Sequence, residues 1–189
     1  MPYVILAVVA ALTFGVCFLV DKGFQKKFRG KAQHASGLSV RLNKRYATIG
    51  IILCVLGLGG LLAGVKGYIA LLIAGPVVFL MGLALIIYYL SVGIFYDQES
   101  FVYSKFGKPS VTYYYNQIEG QLLYNASGNI IIELHMKDGG SVGLQSTMTG
   151  VYPFLDMAFE NWCRQTGRDP ECCDFHDPEN SLWFPLMEG

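Results

Sequence analysis

Polarity divides the chain into a nearly uncharged first half and an alternating second half. Residues 3–20 (YVILAVVAALTFGVCFLV) are eighteen apolar or small positions without a charge, close to the roughly 20 residues with which a helix crosses a bilayer core. Residues 49–65 (IGIILCVLGLGGLLAGV) form a second such stretch, short enough to imply a thin or weakly tilted span. Residues 68–92 (YIALLIAGPVVFLMGLALIIYYLSV) form a third, long enough to tilt. Only Lys66 and Gly67 separate the last two, so the pattern predicts a helical hairpin. A helix pair buried in a soluble bundle would show a polar face, and these stretches show none.

From residue 94 the period changes to two. Ser100–Phe106 alternates and ends in Gly107-Lys108-Pro109-Ser110, a turn signal. Val111–Tyr115, Gln121–Tyr124, Ile130–Met136 and Ser141–Gln145 follow as further strands, rich in β-branched and aromatic residues. Asn125-Ala126-Ser127-Gly128 closes one hairpin, and the Asp138-Gly139 pair is the signal for another. The expectation is an antiparallel meander. Tyr152, Leu155, Ala158, Phe159 and Trp162 then fall at helical spacing. Pro153 suits the first turn of that helix and Gly167 the position past its end. The predicted fold class is membrane α plus β: three transmembrane helices, then a small antiparallel β-meander capped by one C-terminal helix. The expected segments are 1–20, a loop 21–46, a hairpin region 47–93, a β unit 94–167 and a tail 168–189.

Charge orients this arrangement. The segment from Asp21 to Arg45 holds eight of the fourteen Lys and Arg residues: Lys22, Lys26, Lys27, Arg29, Lys31, Arg41, Lys44 and Arg45. Only Asp21 opposes them, leaving a net +7. Basic loops beside membrane spans stay cytoplasmic. The N-terminus is then outside, the Lys66 turn outside, and everything from residue 93 inside. From residue 94 onward five basic residues face thirteen acids, a net −8. The basic loop is expected to meet anionic lipid headgroups, at about 1 kcal/mol per charge, with part of it packed on the acidic β unit. Overall, 53% of the residues are hydrophobic and 15% charged, against about 25% charged in soluble domains. The N-terminal stretch reads as an uncleaved anchor, because no basic region precedes it as a signal peptide requires. Phe14-Gly15-Val16 also makes Cys17 a poor lipoprotein acceptor.

Candidate chemistry is sparse. No Asp, Glu, Lys, Arg or His lies within the three stretches, which argues against an ion or proton pathway. Gly60 and Gly64 have the spacing that lets helix backbones approach closely, either inside this chain's own bundle or at a dimer face. Pro76 predicts a kink in the third span. Five cysteines (Cys17, Cys54, Cys163, Cys172 and Cys173) make no disulfide framework and suit a reducing compartment. Cys163, Cys172, Cys173 and His176 include four potential zinc ligands, without the paired spacing usual for zinc. His34 and His135 stand outside any Ser/His/Asp order or nucleophile elbow. Tyr113, Tyr114 and Tyr115 have no basic neighbours, so nucleic acid is not expected. Trp183 and Phe184 in the tail either fold back on the β unit, settle among headgroups, or anchor a partner.

The stretch from Phe95-Tyr96-Asp97 to Trp162 resembles pleckstrin-homology-like (PH-like) domains. Within it, Phe101-Val102-Tyr103…Phe106-Gly107-Lys108 is similar to their first hairpin, and Tyr115-Asn116-Gln117-Ile118 to the start of their third strand. With the preceding hairpin, the chain resembles bacterial PH-like membrane proteins of the YdbT/YcxB kind. The resemblance covers about seventy residues and departs by an additional preceding span. The chain is also similar to small membrane proteins of gut Firmicutes, a likeness that brings no activity. These features imply an integral membrane protein with a structural or interaction role, without catalysis or cofactor. Its expected partners are lipids, a second copy or another membrane protein. An accessory subunit of a transporter or export complex is the alternative, and an enzyme a distant third.

Overall fold

The computed structural model describes residues 38–126 and 128–187, with Gly15, Phe18, Leu19 and Lys22 at isolated helical positions. The predicted span 3–20 lies outside the described residues apart from three of those positions, as do His34, Lys26, Lys27, Arg29 and Lys31. The chain divides into two compact units. Among the described residues, one contains 43–92; the other contains 38–42, 93–126 and 128–187.

The first unit is the hairpin. Helix α1 (Arg45–Val65) and helix α2 (Ile69–Ser91) have 21 and 23 residues, roughly 31 and 34 Å at 1.5 Å per residue. Both are long and apolar enough to cross a membrane. Asn43 opens α1: its side chain accepts the Arg45 N–H at 3.0 Å. Gly67, at φ +117°, makes the reversal into α2, a conformation glycine reaches without strain. α2 continues through Pro76.

The helices touch along glycine. Gly50, Gly57 and Gly64 on α1 recur every seven residues, as do Gly75 and Gly82 on α2, the period that keeps one face toward a left-handed partner. A Cβ on Gly57 would stand 2.5 Å from the Phe79 N, one on Gly64 2.5 Å from the Leu72 N, and one on Gly82 2.5 Å from the Gly50 O. Gly60 is looser, its nearest neighbour being the Gly75 Cα at 3.4 Å.

Among the described residues, the second unit holds seven strands in two antiparallel sheets. Strands β1 (Ser39–Arg41), β2 (Gly93–Tyr96), β3 (Ser100–Ser104) and β4 (Val111–Tyr114) form one sheet in that order. Strands β5 (Ile118–Ala126), β6 (Asn129–Met136) and β7 (Ser141–Gln145) form the other. β1 is a departure from expectation, since it lies inside the segment read as a loop. Val40 pairs with Ile94, and on its other side Arg41 exchanges backbone bonds with Thr149 at 3.0 and 2.9 Å. The helical hairpin is therefore inserted in sequence between two paired strands.

Helix α3 (Val151–Thr166) covers the sheets. Its buried face is Val151, Phe154, Leu155, Ala158, Phe159 and Trp162. Tyr152, expected on that face, is 42% exposed, because Phe154 takes the core position and meets Phe101 and Tyr96 edge-on at 5.3 and 5.0 Å. The second sheet contributes Ile132, Leu134, Val142 and Leu144, all fully buried. Trp162 donates from Nε1 to the Ile118 carbonyl at 3.0 Å. Gly167 ends the helix in the left-handed conformation, as its position predicts.

Candidate functional site

α3 and the tail together form the most featured surface of the β unit. Asp156, Phe159 and Glu160 stand at i, i+3 and i+4, so they share one helix face. After Gly167 the chain turns back, and Pro170, Glu171 and His176 close a groove of about 320 Å³ over that face. The His176 ring lies flat on Phe159, with centroids 3.8 Å apart and planes 3° from parallel. Its Nδ1 is buried without a hydrogen-bond partner. Asp156 accepts from the Trp183 indole N–H at 2.8 Å. Three carboxylates and an aromatic floor favour a cation over an anion, so this face is unsuited to anionic headgroups. Among the described residues no three His, Cys, Asp or Glu side chains converge to hold a metal ion.

The tail itself is organised by one residue. Gln121 on β5 is 0% exposed. Its Nε2 donates to the Ser181 carbonyl at 2.9 Å, and its Oε1 accepts the Trp183 and Phe184 N–H groups at 2.8 and 2.9 Å. Its backbone N–H donates to Pro185 at 2.8 Å, and its carbonyl accepts from Met187 at 2.9 Å. Gly120 beside it leaves no room for a Cβ, which would stand 2.6 Å from the Pro185 carbonyl. The tail thus runs along β5, with Leu186 bridged in parallel to Gln121.

This placement corrects one of the readings of Trp183 and Phe184. They are 1% and 0% exposed, so their rings are core groups and not an exposed anchor. Phe184 packs edge-on against Trp162 and Phe159 at 5.7 and 6.3 Å. The cysteine and histidine group also divides. Cys163 and Cys173 are buried, Cys172 is exposed, and His176 is stacked on Phe159. Of the tyrosine run, Tyr113 and Tyr115 are buried and Tyr114 is exposed. The Tyr115 hydroxyl donates to the Asp97 carbonyl at 2.5 Å, and burial pushes its pKa well above the ordinary tyrosine value. His135 is half-buried on β6, its Nε2 without a hydrogen-bond partner.

The remaining candidates scatter. Arg41 lies on β1, whereas Lys44 and Arg45 are exposed at the start of α1. Gly64 lies in the helix contact and Gly60 at its edge. The residues missed from sequence are Gln121 and, of the heptad glycines, Gly50, Gly57, Gly75 and Gly82. The glycine spacing was visible in the string; a single polar residue within a strand carries no comparable signal. Comparison with family models, curated proteins and solved structures finds no match to this chain.

Proposed function

We propose that this chain is a multi-pass membrane protein in which a helical hairpin anchors a PH-like β unit on the cytoplasmic side, in a structural or interaction role without catalysis. The observation that carries the reading is the distribution of side chains on the hairpin. Glycines face inward, while Leu62, Val65, Ile69 and Ile73 are 70–77% exposed. Unbroken apolar surface of this kind is untenable in water and suited to hydrocarbon. The seven strands in sheets of four and three, closed by a C-terminal helix, support the PH-like assignment. The exposed Lys44 and Arg45 at one end of α1, with the basic residues before them, support a cytoplasmic side by the distribution of positive charge.

Membrane integration is tested by alkaline carbonate extraction of the expressed full chain, which should leave it in the pellet; release to the supernatant would refute it. Sidedness is tested with a membrane-impermeant maleimide. Cys172 is the exposed reporter thiol, and it should label only after permeabilisation. Labelling of Cys172 in intact cells, lost in Cys172→Ser, would place the β unit outside. Co-purification of a larger polytopic protein would favour the accessory-subunit reading over a scaffold.

A further inference from the structure

The sheet of β1 to β4 has two chemically different ends. At one end, the turn between β2 and β3 carries Asp97 and Glu99. At the other, Gly93 pairs with Arg41 on one side and Ser104 on the other, and β3 passes into the turn Lys105-Phe106-Gly107-Lys108. The Lys108 N–H donates to the Lys105 carbonyl at 3.2 Å. Gly107, at φ +74°, supplies the positive φ that the third position of such a turn takes. Phe106 stands at the tip and is 54% exposed; Val111, where β4 begins, is 41% exposed. Lys105 and Lys108 are exposed on either side of the ring. The segments 38–42, 103–111 and 146–150, which meet at this end, hold Arg41, Lys105 and Lys108 and no Asp or Glu, although the chain from residue 94 onward carries a net −8. The chain also enters and leaves the sheet here: Arg41 stands four residues before Arg45, the first of α1, and Gly93 two residues after Ser91, the last of α2.

We propose that the β3–β4 turn is a membrane-contact site: Phe106 enters the headgroup region of the bilayer that holds the hairpin, and Lys105 and Lys108 meet anionic headgroups. Resting on the membrane reading above, this site adds a second point of contact, on the β unit itself. An aromatic ring between lysines suits that boundary, where apolar groups bury shallowly and ammonium groups stay among phosphates. Each lysine near an anionic surface favours the seated turn about fivefold. The acids of the same sheet do not cancel this. Asp97 and Glu99 lie beyond the far end of β3, and the four steps from Ser100 to Ser104 span roughly 13 Å at about 3.3 Å each. That exceeds the screening length of about 8 Å in physiological salt. The acidic groove on α3 shares no residue with the turn. Seating the turn keeps the acidic end of the sheet away from the headgroups.

Fluorescence quenching in the full chain tests the contact. The Phe106→Trp chain is reconstituted in nanodiscs of phosphatidylcholine and phosphatidylglycerol in equal amounts, with and without bromine on the acyl chains near the headgroup. The native Trp162 and Trp183 are 4% and 1% exposed and give the wild-type baseline. Gln98→Trp, in the turn at the acidic end, is the control. The Phe106→Trp chain should lose emission to brominated lipid well beyond both. Because the bromine sits on the acyl chain, this loss reports lipid and not a dissolved anion such as inorganic phosphate. Adding Lys105→Glu and Lys108→Glu to the Phe106→Trp chain should restore most of the emission, as should discs of phosphatidylcholine alone. Quenching of Phe106→Trp no greater than that of Gln98→Trp, in a chain that stays in the discs, would overturn the contact and leave the membrane reading standing. A chain that fails to co-purify with the discs would refute both. Quenching indifferent to charge reversal and to phosphatidylglycerol would overturn the role of Lys105 and Lys108.

Discussion

Gln121→Ala offers the sharpest test of how the β unit is held together. The substitution keeps the two backbone bonds to the tail and removes the three made by the carboxamide. The Ser181 carbonyl and the Trp183 and Phe184 N–H groups lose their partner in a site where Gln121 is fully buried. Each buried polar group left unpaired costs about 1–3 kcal/mol. Water entering the vacated volume would recover part of this, so the lower end, about 3 kcal/mol for three groups, is the working figure. At roughly tenfold per 1.4 kcal/mol, tail opening should become about a hundred times more frequent. The chain's two tryptophans, Trp162 and Trp183, both lie in this region, so intrinsic fluorescence reports it directly. Denaturant titration of the full chain in detergent should show the fluorescence transition displaced to lower denaturant by that amount. Gln121→Met, which keeps the length and loses the hydrogen bonds, should behave similarly. A loss below about 1 kcal/mol, typical of an ordinary single hydrogen bond, would refute the view that one carboxamide organises the tail.

Two further outcomes follow from geometry. Gly57→Ala should disrupt the hairpin, because the new Cβ would meet the Phe79 backbone at 2.5 Å, whereas Gly59→Ala meets nothing within 4 Å and should be neutral; thermal aggregation in detergent distinguishes them, and equal behaviour would contradict the packing. Asp177 has a pKa lowered from 3.8, chiefly by the side-chain hydrogen bond from Asn180. With the folded value depressed, its contribution to the tail turn is present above the ordinary carboxylate value and lost as pH falls through the folded value. Amide exchange at Asn180, corrected for intrinsic rates, should therefore rise on acidification below about pH 4, and Asp177→Asn should remove that dependence.

Much of the architecture was legible before any coordinates. The hairpin follows from two long apolar stretches separated by Lys66-Gly67, because nothing but length and the absence of charge decides whether such a helix suits hydrocarbon. β4, β6, β7 and α3 follow from local periodicity and turn chemistry, and Gly167 marks the end of α3 by its backbone freedom alone. The Gly60/Gly64 spacing pointed to the right helix but only to the edge of the right face. The contact itself follows the seven-residue glycine period, which gains meaning only when a second helix with the same period lies against it.

Other features existed only in the tertiary structure. Ser39–Arg41 has no periodicity of its own, since three residues are too few to show one. It is a strand because β2 offers it one edge and Thr149 the other. Helical spacing put Tyr152 on the buried face and passed over Phe154; what Phe101 and Tyr96 leave room for gave the core position to Phe154 instead. Folding back on the β unit was only one of three readings of Trp183 and Phe184, because a linear string does not show that Gln121, 62 residues before Trp183, supplies the hydrogen bonds that make their burial possible. Sequence by itself determined the elements whose stability is local or set by the solvent they face. The fold decided those that exist only when a distant segment satisfies their backbone polar groups, because an unpaired buried N–H or carbonyl has no local remedy.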